Sequence, residues 1–91
     1  MTKKLTLYSQ PGCESCGILK TLLKEEGYTY KEINVFEHRA VWDSIREREE
    51  GVMYSPTLSI QIPKEKRIIY LSAGRDFDKE EEGIVQLKKL L

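Results

Sequence analysis

Histidine is almost missing from this chain, with His38 the single example in 91 residues. Cysteine stops at two, proline at three and tryptophan at one. Each scarcity removes a class of function. A closed zinc site takes four ligands, and beyond one cysteine pair only His38 and unpatterned carboxylates are on offer. No serine–histidine arrangement and no glycine-rich phosphate loop has support. Charge of one sign is lacking too: 15 basic residues face 15 acidic ones, so no overall field draws nucleic acid or an anionic membrane. Long apolar runs are absent. Nothing approaches the roughly 20 residues that span a bilayer, and "MTKKLTLYSQ" has no signal-peptide core. The expectation is one cytoplasmic domain, residues 1–91, monomeric, with no metal and no nucleic-acid or membrane partner.

What is present has clear periodicity. "KLTLY" (4–8) reads as a strand, and a helix follows over about 14–26, with Ile18, Leu19, Leu22 and Leu23 on one stripe and Gly27 as its stop. "YTYKEINV" (28–35) reads as a second strand. A helix over about 37–50 carries Val41, Trp42 and Ile45 and ends at Gly51. "PTLSIQI" (56–62) alternates, with Leu58, Ile60 and Ile62 on one side and Ser59 and Gln61 on the other. "RIIYLSAG" (67–74) follows closely enough to form a hairpin with it. A last helix over about 78–91 offers Ile84, Val85, Leu87, Leu90 and Leu91 to the core. Its acidic start and basic end suit the helix dipole. The order β-α-β-α-β-β-α implies a mixed four-stranded sheet flanked by three helices, with a right-handed crossover in the first β-α-β.

Both cysteines sit in "SQPGCESC", between the first strand and the first helix. As a structural clip, Cys13–Cys16 would close a tiny ring and restrict the unfolded chain little. As half a zinc site it lacks partners. A redox pair has a positive argument. Pro11 and Gly12 force a turn, and the helix begins at or just after Cys13. Unpaired amides of its first turn then favour negative charge on the Cys13 sulfur. Cys16 lies nearly one turn on, less exposed and on the same side. Cys13 is therefore the nucleophile and Cys16 the resolving thiol. Between them, the Glu14 carboxylate opposes thiolate formation and Ser15 can offer a hydroxyl.

Three segments resemble the glutaredoxins of the thioredoxin-fold superfamily: "LTLYSQPGCESC", "YSPTLSI" and "LSAGRDFD". The resemblance implies a thioredoxin-like α/β fold and a cis bond before Pro56, which brings the Ser55 backbone beside Cys13 for an extended substrate. It places substrate contacts at Tyr8, Gln10, Glu14, Ser55, Pro56, Gly74 and Asp76, around the catalytic Cys13 and Cys16. By their positions Tyr8 and Tyr54 should both sit near the dithiol loop, where packing is the favoured role and an apolar rim for substrate the alternative. Glutathione enters as a co-substrate rather than a bound cofactor, with disulfide-containing proteins and a flavoprotein reductase as partners. The implied function is thiol–disulfide exchange, reducing protein disulfides or glutathione mixed disulfides. Some glutaredoxins instead carry a two-iron cluster between two subunits.

The chain departs from the family pattern at several points. Glu14-Ser15 replaces Pro-Tyr, and Tyr54-Ser55-Pro56 replaces Thr-Val-Pro. Uncharged Gln10 stands where a lysine or arginine often holds the glutathione carboxylate. Gly74 is alone in its turn. Asp76 matches the aspartate that meets the γ-glutamyl end, although it or Asp78 could instead cap the last helix. "SAGRD" also resembles the Ser-Gly-Phe-Arg-Pro turn of glutaredoxin-like proteins that thioredoxin reductase serves and that feed ribonucleotide reductase.

Overall fold

Leu5 and Leu7 face one side of strand β1 (Lys4–Ser9) and Tyr8 the other, the two-residue period of an extended chain. In a computed structural model, which describes residues 3–91, the chain continues through α1 (Glu14–Glu25), β2 (Lys31–Asn34), α2 (Arg39–Arg48), β3 (Thr57–Ile62), β4 (Arg67–Ser72) and α3 (Glu80–Leu90). A 3-10 turn, Pro63–Glu65, joins β3 to β4. The sheet order is β2-β1-β3-β4. β1 and β2 are parallel across the α1 crossover, while β3 is antiparallel to both β1 and β4. This is the mixed four-stranded, three-helix thioredoxin-like arrangement the sequence led us to expect.

Both faces of the sheet are covered. On one side Leu5, Leu7, Leu58, Ile60 and Leu71 pack beneath Leu19 and Leu23 of α1 and Ile84 and Leu87 of α3. On the other, Tyr8 and Tyr70 join Trp42 and Ile45 of α2, with Val35 and Val52. That second core explains Ser59, which is buried although its strand reads as half polar. Ile18, Val41, Val85 and Leu91 go the other way and are exposed. A helix on a flat sheet buries a narrow stripe, so residues one position off that stripe face water.

Helix ends move two expected boundaries. The Tyr28 amide donates to the Leu23 carbonyl and the Gly27 amide to Lys24, a Schellman closure of α1. Residues 28–30 are thereby committed to leaving the helix, and β2 pairs with β1 only from Lys31. At α3, Glu82 Oε1 accepts from the amides of Asp78 (3.0 Å) and Lys79 (2.9 Å), which starts the helix at Glu80 with Lys79 as N-cap. Neither Asp76 nor Asp78 is the cap. His38 is the N-cap residue of α2, and its Nδ1 lies 3.2 Å from the Asn34 carbonyl oxygen. No helix among the described residues is long and apolar enough to cross a membrane.

Candidate active site

The redox loop is built by its turn. Gly12 has φ +75°, a left-handed backbone that a side chain would strain. The chain then enters Cys13 in an extended conformation (φ −92°, ψ 107°), the geometry of a helix N-cap. Cys13 Sγ accepts a hydrogen bond from the Cys16 amide at 3.1 Å, and Gly17 N–H closes the first turn onto the Cys13 carbonyl at 3.2 Å. Cys16 is 1% exposed and Cys13 half-buried. The two are joined in a disulfide with their Cα atoms 5.2 Å apart. Once that bond is reduced, the outer sulfur sits where an amide and the positive end of α1 favour its anion.

A second loop faces it. The Ser55–Pro56 bond is cis, Pro56 is buried, and Ser55 Oγ lies 4.0 Å from Cys13 Sγ. Buried hydroxyls hold this loop in place. Thr57 Oγ1 donates to the Tyr54 carbonyl at 2.8 Å, Ser72 Oγ lies 3.4 Å from the same oxygen, and the two hydroxyls are 2.8 Å apart. Ala73 N–H adds a bond to the Pro56 carbonyl at 3.1 Å. Tyr54 is 62% exposed and its ring lies over Gly74, where an added Cβ would stand 3.4 Å from the ring. The φ of +86° calls for glycine at this position, while the ring contact alone would be ordinary van der Waals packing.

Asp76 is already engaged from within the chain. Its Oδ2 accepts from the Ser72 amide at 2.7 Å and from Arg75 Nε at 2.8 Å. Arg75 reaches further, with Nη2 on the Tyr70 carbonyl at 2.8 Å and Nη1 on the Glu50 carbonyl at 3.0 Å. Its guanidinium also pairs with Glu49 at 3.6 Å. The turn after β4 is thus tied both to the end of α2 and, through Ser72, to the Pro56 loop.

The remaining expected residues divide. Glu14 is exposed as the first residue of α1, beside Cys13. Gln10 is exposed on the redox loop, next to a shallow groove walled by Lys20, Glu32 and His38. Tyr8 is not part of the rim. The residue is 8% exposed and its ring stacks on Trp42, with centroids 6.0 Å apart, because position 8 alternates onto the α2 side of the sheet. Tyr54 alone presents an aromatic face beside Ser55.

Arg75, Thr57 and Ser72 carry much of this geometry and were not singled out from the sequence. A signal existed for the hydroxyls: two of them flank the Pro56 and Gly74 turns, at the ends of strands β3 and β4 that meet at the redox loop. For Arg75 the signal was its place in "SAGRD", beside Asp76 and within the segment that resembles the Ser-Gly-Phe-Arg-Pro turn. A further pair, Ser9 and Lys20, converges on Glu32 Oε2 at 2.6 and 3.1 Å. The Ser9 hydroxyl first, then Lys20, holds the Glu32 carboxyl below the usual carboxylate range. Among the described residues no group of three or more His, Cys, Asp or Glu side chains converges as a metal site would.

Three solved structures share this architecture. The thioredoxin-like protein BC3987 superposes with a TM-score of 0.63 at 24% identity, over 97% of this chain and 100% of its own. Glutaredoxin from Brucella melitensis gives 0.60 at 22% identity, over 97% and 87%. A malarial protein gives 0.62 at 18%, over 100% and 99%. At such identities the likeness is one of fold. No curated protein matches the chain. The glutaredoxin family model matches residues 5–61, a stretch that runs from β1 almost to the end of β3 and includes both cysteines and the Ser55–Pro56 loop. On that match, which covers more than half of its length, the chain belongs to the glutaredoxin family.

Proposed function

We propose that this protein is a small cytoplasmic thiol–disulfide oxidoreductase that acts through Cys13 and Cys16. The Cys13 thiolate attacks a substrate disulfide, forming a mixed disulfide and releasing one thiolate. Cys16 then attacks the Cys13 sulfur, forms the intramolecular disulfide and releases the second substrate sulfur as a thiolate. Two electrons pass to the substrate, and a thiol donor, glutathione or a flavoprotein reductase, returns them. The observation that carries this reading is the Cys16 amide 3.1 Å from the sulfur of an N-cap cysteine whose partner thiol is buried.

Protein disulfides are favoured over glutathione mixed disulfides. The carboxylate that would meet the γ-glutamyl ammonium has Oδ2 occupied by Ser72 N–H and Arg75, and Gln10 brings no charge to the opposite end. The same reasoning favours a reductase-linked electron donor, of the kind that serves ribonucleotide reductase, over a glutathione-dependent iron–sulfur carrier. Among the described residues, neither backbone polar group of Ser55 has a partner within the chain, which leaves both for an extended polypeptide. Insulin reduction and a glutathione mixed-disulfide assay, run side by side on the purified protein, test the proposal. Turnover of insulin exceeding that of the glutathione substrate is expected. Turnover of neither would refute it.

A further inference from the structure

The side-chain hydroxyl of Ser55 has one hydrogen-bonding partner among the described residues, and it is the sulfur assigned here to attack. Ser55 Oγ lies 4.0 Å from Cys13 Sγ, at the long end of a bond to sulfur. In this oxidised form the acceptor is a neutral disulfide sulfur, which attracts a donor weakly. Reduction puts a full charge on the same atom, and bonds to ionised acceptors are shorter and stronger. Little has to move for the contact to close. Pro56 is buried, the Tyr54 carbonyl is held by Thr57 and Ser72, and the Pro56 carbonyl is held by the Ala73 amide.

We propose that Ser55 is a catalytic hydrogen-bond donor, its hydroxyl binding the Cys13 thiolate from the loop side while the Cys16 amide binds it from the helix. The inference rests on the reading of Cys13 as the attacking thiol. The hydroxyl keeps its own proton throughout. It favours the anion before attack, loses the charge it binds as Cys13 forms its bond to the substrate sulfur, and regains that charge when the protein disulfide is reduced again. Two consequences follow together. The thiolate is populated at lower pH, and the dithiol state is stabilised relative to the disulfide, which makes the pair a weaker reductant.

The charges around Cys13 are few and do not change in the test. Glu14 follows it on α1, and Lys20 further along that helix is paired with Glu32 of β2. On the turn behind the facing loop, Arg75 and Asp76 are paired with each other. The Tyr54 phenol adjoins Ser55 in the chain.

The experiment compares wild type with Ser55→Ala, Ser55→Val and Ser55→Thr. The two hydroxyl-free residues differ in volume, so that a misfit of one leaves the other to be read. Reduced protein is alkylated across pH to give the Cys13 pKa, and oxidised protein is equilibrated with glutathione to give the redox equilibrium constant. A rise in pKa of about one unit is expected for Ala and Val, with a shift of about tenfold toward the disulfide at a pH above both pKa values. Thr should match wild type in both. Ala and Val proteins that fold and keep the wild-type pKa would overturn the inference, as would a Thr protein that behaves like Ala. Because the titration reads the sulfur and not turnover, a protein inactive on both substrates would still report the shift. An absent shift with turnover intact would remove Ser55 alone.

Discussion

Arg75 Nη1 donates to the Glu50 carbonyl at 3.0 Å, fastening the end of α2 to the turn that carries Asp76. The same guanidinium reaches the Tyr70 carbonyl and the Asp76 carboxylate, so one side chain bridges a helix, a strand and a turn. Arg75→Ala should destabilise the fold by about 1–3 kcal/mol, chiefly through the Tyr70 carbonyl left without its side-chain donor and Asp76 left with only the Ser72 amide. Arg75→Lys should recover only part, since an ammonium cannot reproduce the guanidinium fork. Urea unfolding of the three proteins measures both. Equal stability of wild type and Ala would mean the clasp contributes nothing.

Cys13→Ser should abolish disulfide reduction, whereas Cys16→Ser should still attack and then stall. The Cys16→Ser protein, offered a disulfide substrate, should accumulate a mixed disulfide on Cys13, visible by mass spectrometry as a covalent adduct. Alkylation of reduced wild type at neutral pH should mark Cys13 well before the buried Cys16. The reverse order of labelling would exchange the two roles.

Glu14 is the charge nearest to Cys13 in the chain and is exposed at the start of α1. Its carboxylate stabilises the helix terminus but repels the thiolate beside it. Glu14→Gln should lower the Cys13 pKa by a few tenths of a unit, and added salt should shrink the difference. The pH dependence of iodoacetamide labelling at low and high salt decides this. An unchanged or higher pKa removes the idea.

The order of elements could be read from the sequence because each has its own period: aliphatic residues two apart in β1 and β3, apolar residues three and four apart in the helices. The redox loop was legible for a similar reason, since Pro11, Gly12 and the cysteine spacing act locally. What failed to show were properties of pairs distant in the chain. For Tyr8 the sequence leaves packing and a rim role both open until the α2 core behind it is built from Trp42 and Ile45. Asp76 looks like a helix cap or a ligand group until the Ser72 amide and Arg75 arrive at its carboxylate. The start of α3 depends on Glu82, four residues beyond the aspartate that seemed to open it.

Glu32 gives a test by pH. Its carboxyl is held below the ordinary value of 4.5 by the Ser9 hydroxyl and then Lys20, so the folded state favours the charged form. The stabilisation is complete above the unfolded value and fades as pH falls through the lower folded one. Wild type should therefore exceed Glu32→Gln in melting temperature near neutrality, with the gap closing below about pH 4. The carboxylate is 42% exposed, which keeps the effect small and sensitive to salt. A gap that stays constant from neutrality into the acid range would place its source elsewhere.

Thr57 ties the support of the Pro56 loop to its chemistry. Its hydroxyl donates to the Tyr54 carbonyl at 2.8 Å and meets the Ser72 hydroxyl, also at 2.8 Å, in a fully buried position. Thr57→Val keeps the shape and removes the donor. Ser72 Oγ, 3.4 Å from the same carbonyl, compensates in part, so the cost in stability should be about 1–2 kcal/mol and not more. The larger effect should be on the substrate loop, because the Tyr54 carbonyl is the anchor one residue before the backbone that faces Cys13. KM for a protein disulfide should rise several-fold, with a smaller rise in the Cys13 pKa, because the Ser55 hydroxyl proposed to bind the thiolate sits on the same loop while the helix amide is untouched. A fall in alkylation rate with KM unchanged would mean that the hydroxyl pair acts on the cysteine and not on the loop.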